Sequence, residues 1–246
     1  MPIHCLDYTA HYALDAYDMP MPEDMGYFRK SLEKRRFRLI SALVPLKGVS
    51  GVLDVGCGSG WLSEMLSRRG FGVTALDIGL DSIRRASERL KLKAPGVSFV
   101  LGDVYKLPFK NNRFDAVVAS EVLEHLENPP DALNEMARVV KPGGCIVVST
   151  PYRERIEEIL CIHCNRKTPV NAHLHTFDET SIKKMFGEAG CVVQKCVTFV
   201  NRPAERFGMA GVTGFLPFRV WRLLDRAACG LIKRESFIAI RAVCNE

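Results

Sequence analysis

One stretch limits the fold of this chain more than any other. In Val52-Leu53-Asp54-Val55-Gly56-Cys57-Gly58-Ser59-Gly60 an apolar run breaks into three glycines at alternate positions, then passes at once into Trp61-Leu62-Ser63-Glu64-Met65-Leu66. A buried strand feeding a glycine turn and a helix start lets backbone come close to a nucleotide-like ligand, because side chains there would block the approach. The spacing is Gly-x-Gly-x-Gly, not the Gly-x-Gly-x-x-Gly that seats a dinucleotide pyrophosphate on a helix start. The loop therefore favours a nucleoside without a pyrophosphate.

Downstream, apolar and helical segments alternate, the pattern of a mainly parallel sheet wrapped by helices. Strands are expected over 52–55, 72–77, 97–102, 114–120 and 145–150. Helices are expected over 61–69, 80–92 and 131–140, the last stopped by Lys141-Pro142-Gly143-Gly144, with a short turn at 123–127. Upstream, Phe28, Leu32, Phe37, Leu39, Ile40 and Leu43 recur at helical spacing, so 26–43 is expected to be an amphipathic helix. Past Thr150 a polar insertion precedes a helix over 178–189 with Asp178 as N-cap and Gly190 as its stop. Strands over 191–200 and 236–244 then bracket a second insertion. With 246 residues, 47% of them hydrophobic, the chain has enough apolar side chains for one full core.

Ligands of open α/β sheets bind at the carboxyl ends of the strands. Asp77 closes the second strand about 20 residues after the loop, where a carboxylate can accept both ribose hydroxyls; it also suits a strand-end or N-cap role. Asp103 ends the third strand, placed to accept from an exocyclic amine such as that of adenine, and Ser120 ends the fourth beside the same crevice. Four consecutive strand ends with small or acidic residues describe one pocket.

These residues resemble a known family. The set Leu53 to Gly60, Asp77, Gly102-Asp103-Val104-Tyr105-Lys106-Leu107-Pro108-Phe109, Phe114-Asp115-Ala116-Val117, Glu121-Val122-Leu123-Glu124-His125-Leu126 and Lys141-Pro142-Gly143-Gly144 resembles the class I S-adenosylmethionine-dependent methyltransferases, closest to the group of the ubiquinone and menaquinone biosynthesis methyltransferases. The resemblance implies a doubly wound, mostly parallel seven-stranded α/β sheet of Rossmann-like form, with an antiparallel last strand. It implies S-adenosyl-L-methionine as cofactor, with Asp54, Gly56, Gly58 and Gly60 in the loop, Asp77 on the ribose, Ile78 against adenine, Asp103 and Val104 at the adenine edge and Ser120 beside them. The chain divides accordingly into an N-terminal helical cap (1–48), a cofactor core (51–151), a Cys/His insertion (152–177) and an apolar, basic insertion (201–234) of a single domain.

Because a sulfonium methyl is already activated, the protein must mainly align an acceptor atom with it and, where needed, remove a proton. Glu121-x-x-Glu124-His125 follows the fourth strand. Its carboxylates and imidazole can converge on a divalent ion that lowers the pKa of an acceptor hydroxyl, as in the ubiquinone O-methyltransferases and the small-RNA 2′-O-methyltransferases, or they can be ordinary crevice and cap residues. Glu121 and His125 are the catalytic candidates, His125 as general base because an imidazole titrates near neutrality.

Cys161-Ile162-His163-Cys164 with His173-Leu174-His175 admits three readings: a structural zinc on Cys161, Cys164, His173 and His175, reduced thiols in a substrate loop, or a redox pair. In extended chain the two histidines point to opposite faces, so both on one ion would need a bend; either can instead complete the acceptor pocket. The second insertion carries an amphipathic helix with a basic face over 217–232, suited to packing on the sheet, to a membrane surface or to an oligomer contact. Gly208, Gly211 and Gly214 are expected to let it flex. Nine cysteines, several in strand-like runs, argue for reduced thiols, and the first 19 residues lack an apolar leader core, so a cytoplasmic location is expected. A net charge of +6 spread along the chain does not call for nucleic acid.

The expected activity is methyl transfer to a small, apolar or phenolic acceptor, at oxygen rather than carbon or nitrogen. The alternatives are a metal-assisted RNA 2′-O-methyltransferase and a non-catalytic cofactor-binding or zinc-bearing interaction protein.

Overall fold

The alternation of apolar and helical segments closes into one seven-stranded sheet in the computed structural model, which describes residues 21–160, 167–206 and 209–244. Helix α1 (Tyr27–Leu43) is followed by β1 (Gly51–Val55), α2 (Trp61–Ser67), β2 (Gly72–Asp77), α3 (Leu80–Leu90), β3 (Val97–Leu101), β4 (Phe114–Ser120), α4 (Pro129–Val139) and β5 (Val140–Pro151). A separate hairpin of β6 (Glu158–Leu160) and β7 (Lys167–Pro169) precedes α5 (Glu179–Glu188) and β8 (Cys191–Asn201). Short helices α6 (Arg202–Arg206) and α7 (Met209–Val212), then α8 (Phe218–Leu231), lead to β9 (Glu235–Cys244). The strand order is β3-β2-β1-β4-β5-β9-β8, with β1 to β5 parallel and β9 antiparallel to both of its neighbours. This is the expected doubly wound α/β architecture.

Side chains of a strand alternate between faces, so one parallel sheet with helices on both sides makes two cores. Leu53, Val55, Val117 and Ala119 pack towards Leu133 and Met136 of α4 and Ile182 and Phe186 of α5. Val52, Ala116 and Val118 face the other way, towards Leu39 and Ile40 of α1, Leu62 and Leu66 of α2 and Leu90 of α3. Asp178 caps α5 as expected, accepting from the Thr180 N–H at 3.0 Å and the Ser181 N–H at 2.8 Å, while the Ser181 hydroxyl accepts from the Asp178 N–H at 3.0 Å. Such a reciprocal cap contributes about 1 kcal/mol.

Three expectations are corrected. Lys141-Pro142-Gly143-Gly144 lies inside β5, which already pairs at Phe114↔Val140 and resumes, after an irregularity, at Ala116↔Cys145. Gly143 turns there at φ +75°, and Gly144 passes so close to β4 that a Cβ would stand 2.8 Å from the Asp115 and Lys141 carbonyl oxygens. Gly211 and Gly214 are packing sites rather than hinges. A side chain on either would run into the rings of Phe28 and Tyr27, and Gly208 lies outside the described residues. Beside them Arg35 of α1 donates to the Thr213 hydroxyl at 2.8 Å and lies 5.0 Å over the Trp221 ring, so the N-terminal helix and the second insertion hold one another. Finally, Cys191 and Cys244 are not free thiols. They are register partners across β8 and β9, with Cα atoms 4.0 Å apart, and form a disulfide. Cys57, Cys145, Cys196 and Cys229 are free. No helix among the described residues is long and apolar enough to cross a membrane.

Gly144→Ala should destabilise the protein by about 1–3 kcal/mol, since backbone oxygens cannot turn aside as a side chain can. Urea denaturation measures the loss; an unchanged midpoint would show that β5 enters the sheet by another path.

Candidate active site

The carboxyl ends of β3, β2, β1 and β4 lie in register along one edge, with Asp77 opposite Leu101 and Val55 opposite both Leu76 and Ala119. The glycine turn crosses this edge. Gly56, Gly58 and Gly60 all have positive φ (+68°, +49° and +72°), a conformation that L side chains rarely adopt. At Gly56 a Cβ would also stand 2.5 Å from Val122 Cγ2, and at Gly60 3.1 Å from Leu90 Cδ1. The turn is thus bare backbone both by conformation and by space.

Asp77 holds the turn in place. Its Oδ2 accepts from the Gly58 N–H at 2.9 Å and its Oδ1 from the Gly79 N–H at 2.8 Å, while the Cys57 N–H donates to the Leu76 carbonyl at 2.9 Å. Burial raises the Asp77 pKa, and the N–H donors oppose that rise. Each oxygen retains a lone pair for a further donor such as a ribose hydroxyl. Arg89, which the sequence did not single out, secures the outer side of the turn. Its Nε donates to the Ser59 carbonyl at 3.0 Å and its Nη1 pairs with Glu64 at 2.7 Å.

Asp103 accepts from the Tyr105 N–H at 2.9 Å and Val104 is buried, so the expected adenine edge is a tight turn at the end of β3. Ile78 is half-buried beside Asp77. The Ser120 hydroxyl lies 3.0 Å from that of Ser149. Asp54 takes a different part from the one expected. It is 1% exposed and accepts from the Ser63 hydroxyl at 2.5 Å, stapling β1 to α2 behind the turn, and burial pushes its pKa up to about 7.

The residues expected on the acceptor side gather around the 3₁₀ turn Leu123–His125. Glu121 has a left-handed backbone (φ +55°) and a carboxylate that accepts from the Ser149 hydroxyl at 3.1 Å and pairs with Arg36 of α1 at 3.2 Å. Burial works against the Arg36 charge, yet Glu33, Glu121 and Glu124 around it outweigh that and raise its pKa. Glu124 is fully buried, and neither of its carboxylate oxygens has a hydrogen-bond partner. Burial, reinforced by the Glu121 charge, lifts its pKa well above the usual carboxylate range.

The first insertion reaches this turn through backbone, with the Leu174 and His175 N–H groups donating to the Glu124 carbonyl at 2.7 and 3.3 Å. His173 is thereby set against His125, ring centres 4.8 Å apart, and its Nδ1 lies 2.5 Å from Glu154 Oε2. Glu124, His125 and His173 each offer a ligand atom within 4.8 Å of the others. His175 turns away to the Glu127 carbonyl, at 3.3 Å. The two histidines thus face different partners, and Cys161 and Cys164 lie outside the described residues. A cavity of about 550 Å³ opens beside Glu121, His173, Glu154 and Arg36. Glu154 and Arg36 line this cavity and were not among the residues that sequence reasoning picked out.

Comparison with known proteins agrees with this geometry. Residues 53–148 match the family described as Methyltransferase domain. The chain is 40% identical over 119 residues to the demethylmenaquinone methyltransferase of Renibacterium salmoninarum, covering 48% of each chain. It is 36% identical over 139 residues to the ubiquinone biosynthesis O-methyltransferase of Paracidovorax citrulli, covering 55% of this chain and 58% of that one. The chain spans about half the length of the curated relatives it matches. The fold also matches the S-adenosylmethionine dependent methyltransferase of Mesorhizobium loti, with TM-score 0.60 and 18% identity over 85% of this chain and 97% of that one.

Asp54 supplies a pH test. Its carboxyl titrates near 3.8 when unfolded and about 7 when folded, so the stability it contributes is complete below 3.8 and is lost as pH rises through about 7. Wild-type protein should lose urea stability relative to Asp54→Asn across that window. Parallel curves for the two proteins would show that Asp54 titrates normally.

Proposed function

We propose that the chain, whose residues 53–148 match a methyltransferase domain, is a class I S-adenosylmethionine-dependent methyltransferase that moves the sulfonium methyl of that cofactor onto an oxygen of a small, apolar or phenolic acceptor. The observation that carries the oxygen assignment is the fully buried Glu124 carboxylate, unpartnered at both oxygens and set beside His125 and His173. Methylation at a hydroxyl needs a group that takes its proton, and these side chains supply both a proton acceptor and a means of holding charge.

Gly56, Gly58, Gly60, Asp77, Ile78, Asp103, Val104 and Ser120 would hold S-adenosylmethionine, which brings an activated methyl group to the crevice. Asp77, already fixed by two backbone N–H groups, orients the ribose without moving. The turn's bare backbone lets the methionine portion approach. His125 takes the acceptor proton, and Glu154 fixes the ring orientation of His173 beside it. Arg36, shared between Glu33 at 2.7 Å and Glu121 at 3.2 Å, offsets part of the negative charge of the pocket.

The donor set at Glu124 also fits a divalent cation, because two buried oxygens without a partner and two imidazoles are the ligands such an ion takes. Glu124, His125 and His173 would hold it, its chemistry there is to lower the pKa of the acceptor hydroxyl, and His125 would then serve as a ligand in place of the base. The apolar preference for the acceptor draws on Phe215, Leu223 and Leu231, which remain exposed on and beside α8. They would serve equally where the second insertion meets a membrane surface. A second reading, methylation of an RNA ribose hydroxyl, draws on the same arrival of His173 at Glu124 and His125.

Calorimetry with S-adenosylhomocysteine should show one-to-one binding that Asp77→Ala weakens about a hundredfold, the loss of two charge-assisted hydrogen bonds. No binding by the wild type would overturn the reading. Glu124→Gln and His125→Ala should leave that affinity unchanged while lowering kcat by about a hundredfold or more. Manganese titrated into the apoprotein should bind at one site that His173→Ala abolishes if the acceptor pocket holds a metal. Incubation of a cell extract with labelled S-adenosylmethionine then separates the acceptor classes, with label expected in the lipid or small-molecule fraction and not in RNA.

A further inference from the structure

A second cavity lies next to the acceptor pocket, and none of the chemistry above uses it. It has a volume of about 1020 Å³ and lies between the start of the first insertion, β8, α8 and the entry to β9. Seven cationic side chains line it against two carboxylates, Glu179 and Glu235. Part of this charge is already committed. Arg222 pairs with Asp225 at 2.7 Å and Arg153 reaches Glu179 at 3.4 Å, whereas Arg202 donates to the neutral Tyr152 and Arg153 carbonyls at 2.5 and 3.4 Å and keeps its charge. Arg226, Lys233 and Arg234 have no carboxylate within ion-pair distance among the described residues, and all three are exposed to solvent. Like charges crowded around one concavity repel one another and raise the potential inside it, which an anion relieves.

The position matters as much as the charge. Arg202 lines both this cavity and the smaller one beside Glu121 and His173. Tyr152 and Glu235 of the basic cavity adjoin Pro151 and Ser236 of the acceptor cavity along the chain. One molecule can therefore occupy both, with its reacting hydroxyl at one end and an anionic group at the other.

We propose that this cavity is a phosphoryl subsite, binding a phosphate or diphosphate group on the acceptor through Arg202, Arg226, Lys233 and Arg234. Guanidinium groups match phosphoryl oxygens two bonds at a time, and a single carboxylate would leave most of the convergent charge unanswered. The assignment of that group to the methyl acceptor rests on the methyltransferase reading; the phosphoryl site does not. The acceptor is then amphiphilic, its apolar portion agreeing with the apolar side chains exposed along α8. The phosphoryl group can belong to a lipid or to a soluble phosphate ester, since the recognition chemistry is the same.

Inorganic pyrophosphate titrated calorimetrically into the full chain tests the site directly. Saturable one-to-one binding is expected, weakened about tenfold or more in the double variant Arg226→Ala, Lys233→Ala. Because these residues lie on the surface and away from the glycine turn, the variant should bind S-adenosylhomocysteine as the wild type does. That measurement distinguishes failure of the phosphoryl site from failure of the methyltransferase reading. Sedimentation with phosphatidylglycerol vesicles identifies the source. Pelleting that the double variant loses assigns a lipid phosphate, whereas pyrophosphate binding without pelleting assigns a soluble ester. Absent saturation, or equal pyrophosphate affinity in wild type and variant, overturns the proposal. So does a short oligouridylate that binds far more tightly than pyrophosphate and is lost in the same variant, since the cations would then serve an RNA backbone.

Discussion

The Asp77 carboxylate is the joint on which the cofactor side depends. Two backbone N–H groups, one from the glycine turn and one from the chain leaving β2, meet on its two oxygens. Apart from Cys57, buried in the core beneath it, the turn has little side-chain packing of its own to hold its shape, and its three left-handed glycines carry much conformational freedom. A buried carboxylate with two donors converts that freedom into a fixed surface. Arg89 does the same from outside by binding the Ser59 carbonyl. The residue that orders the turn is thus the one to which the proposed function gives the ribose.

The acceptor side is built on the opposite principle. Its central group, Glu124, is buried without satisfaction, which costs free energy unless a proton or a cation occupies the site. The neighbouring carboxylates have partners of their own: Glu121 pairs with Arg36, which also holds Glu33, and Glu154 Oε2 lies 2.5 Å from His173 Nδ1. Glu124 is left as the one carboxylate of the group whose state responds to what enters the pocket. The cofactor edge is rigid in advance, and the acceptor side carries the electrostatic cost.

Much of this was legible in the sequence because its signals are local. Strands β1 to β4 read directly from short apolar runs bounded by glycine or acidic residues, and their order along the chain with helices between them dictated the parallel sheet. That Asp77, Asp103 and the three glycines lie along one edge was legible from their positions at the strand ends. What was missed depends on contacts distant in the chain. Arg36 meets Glu121 across 85 residues, Glu154 meets His173 across an insertion, and nothing in the pattern around Cys191 or Cys244 announces that the two become register partners. Asp54 shows what the strand pattern leaves out. A polar residue inside an apolar strand next to a ligand loop looks functional, yet its side chain turns inward to Ser63. Gly211 and Gly214 show that a glycine can mark close packing as readily as motion; the distinction needs the neighbouring rings of Phe28 and Tyr27.

The bond between Cys191 and Cys244 spans a sequence separation of 53 residues. Everything in that interval, including α6, α7, α8 and most of the cations of the basic cavity, is a closed covalent ring whose ends meet at the edge of the sheet. Closing a loop of that length in the unfolded chain removes on the order of 4 kcal/mol of its entropy in the chain-entropy account. The ring also changes what a cut means. Cleaved anywhere within the second insertion, the oxidised chain remains one molecule, with β8 and β9 still tethered; once reduced, it separates into two. The segment that faces the acceptor can therefore be nicked without the last strand of the sheet being lost.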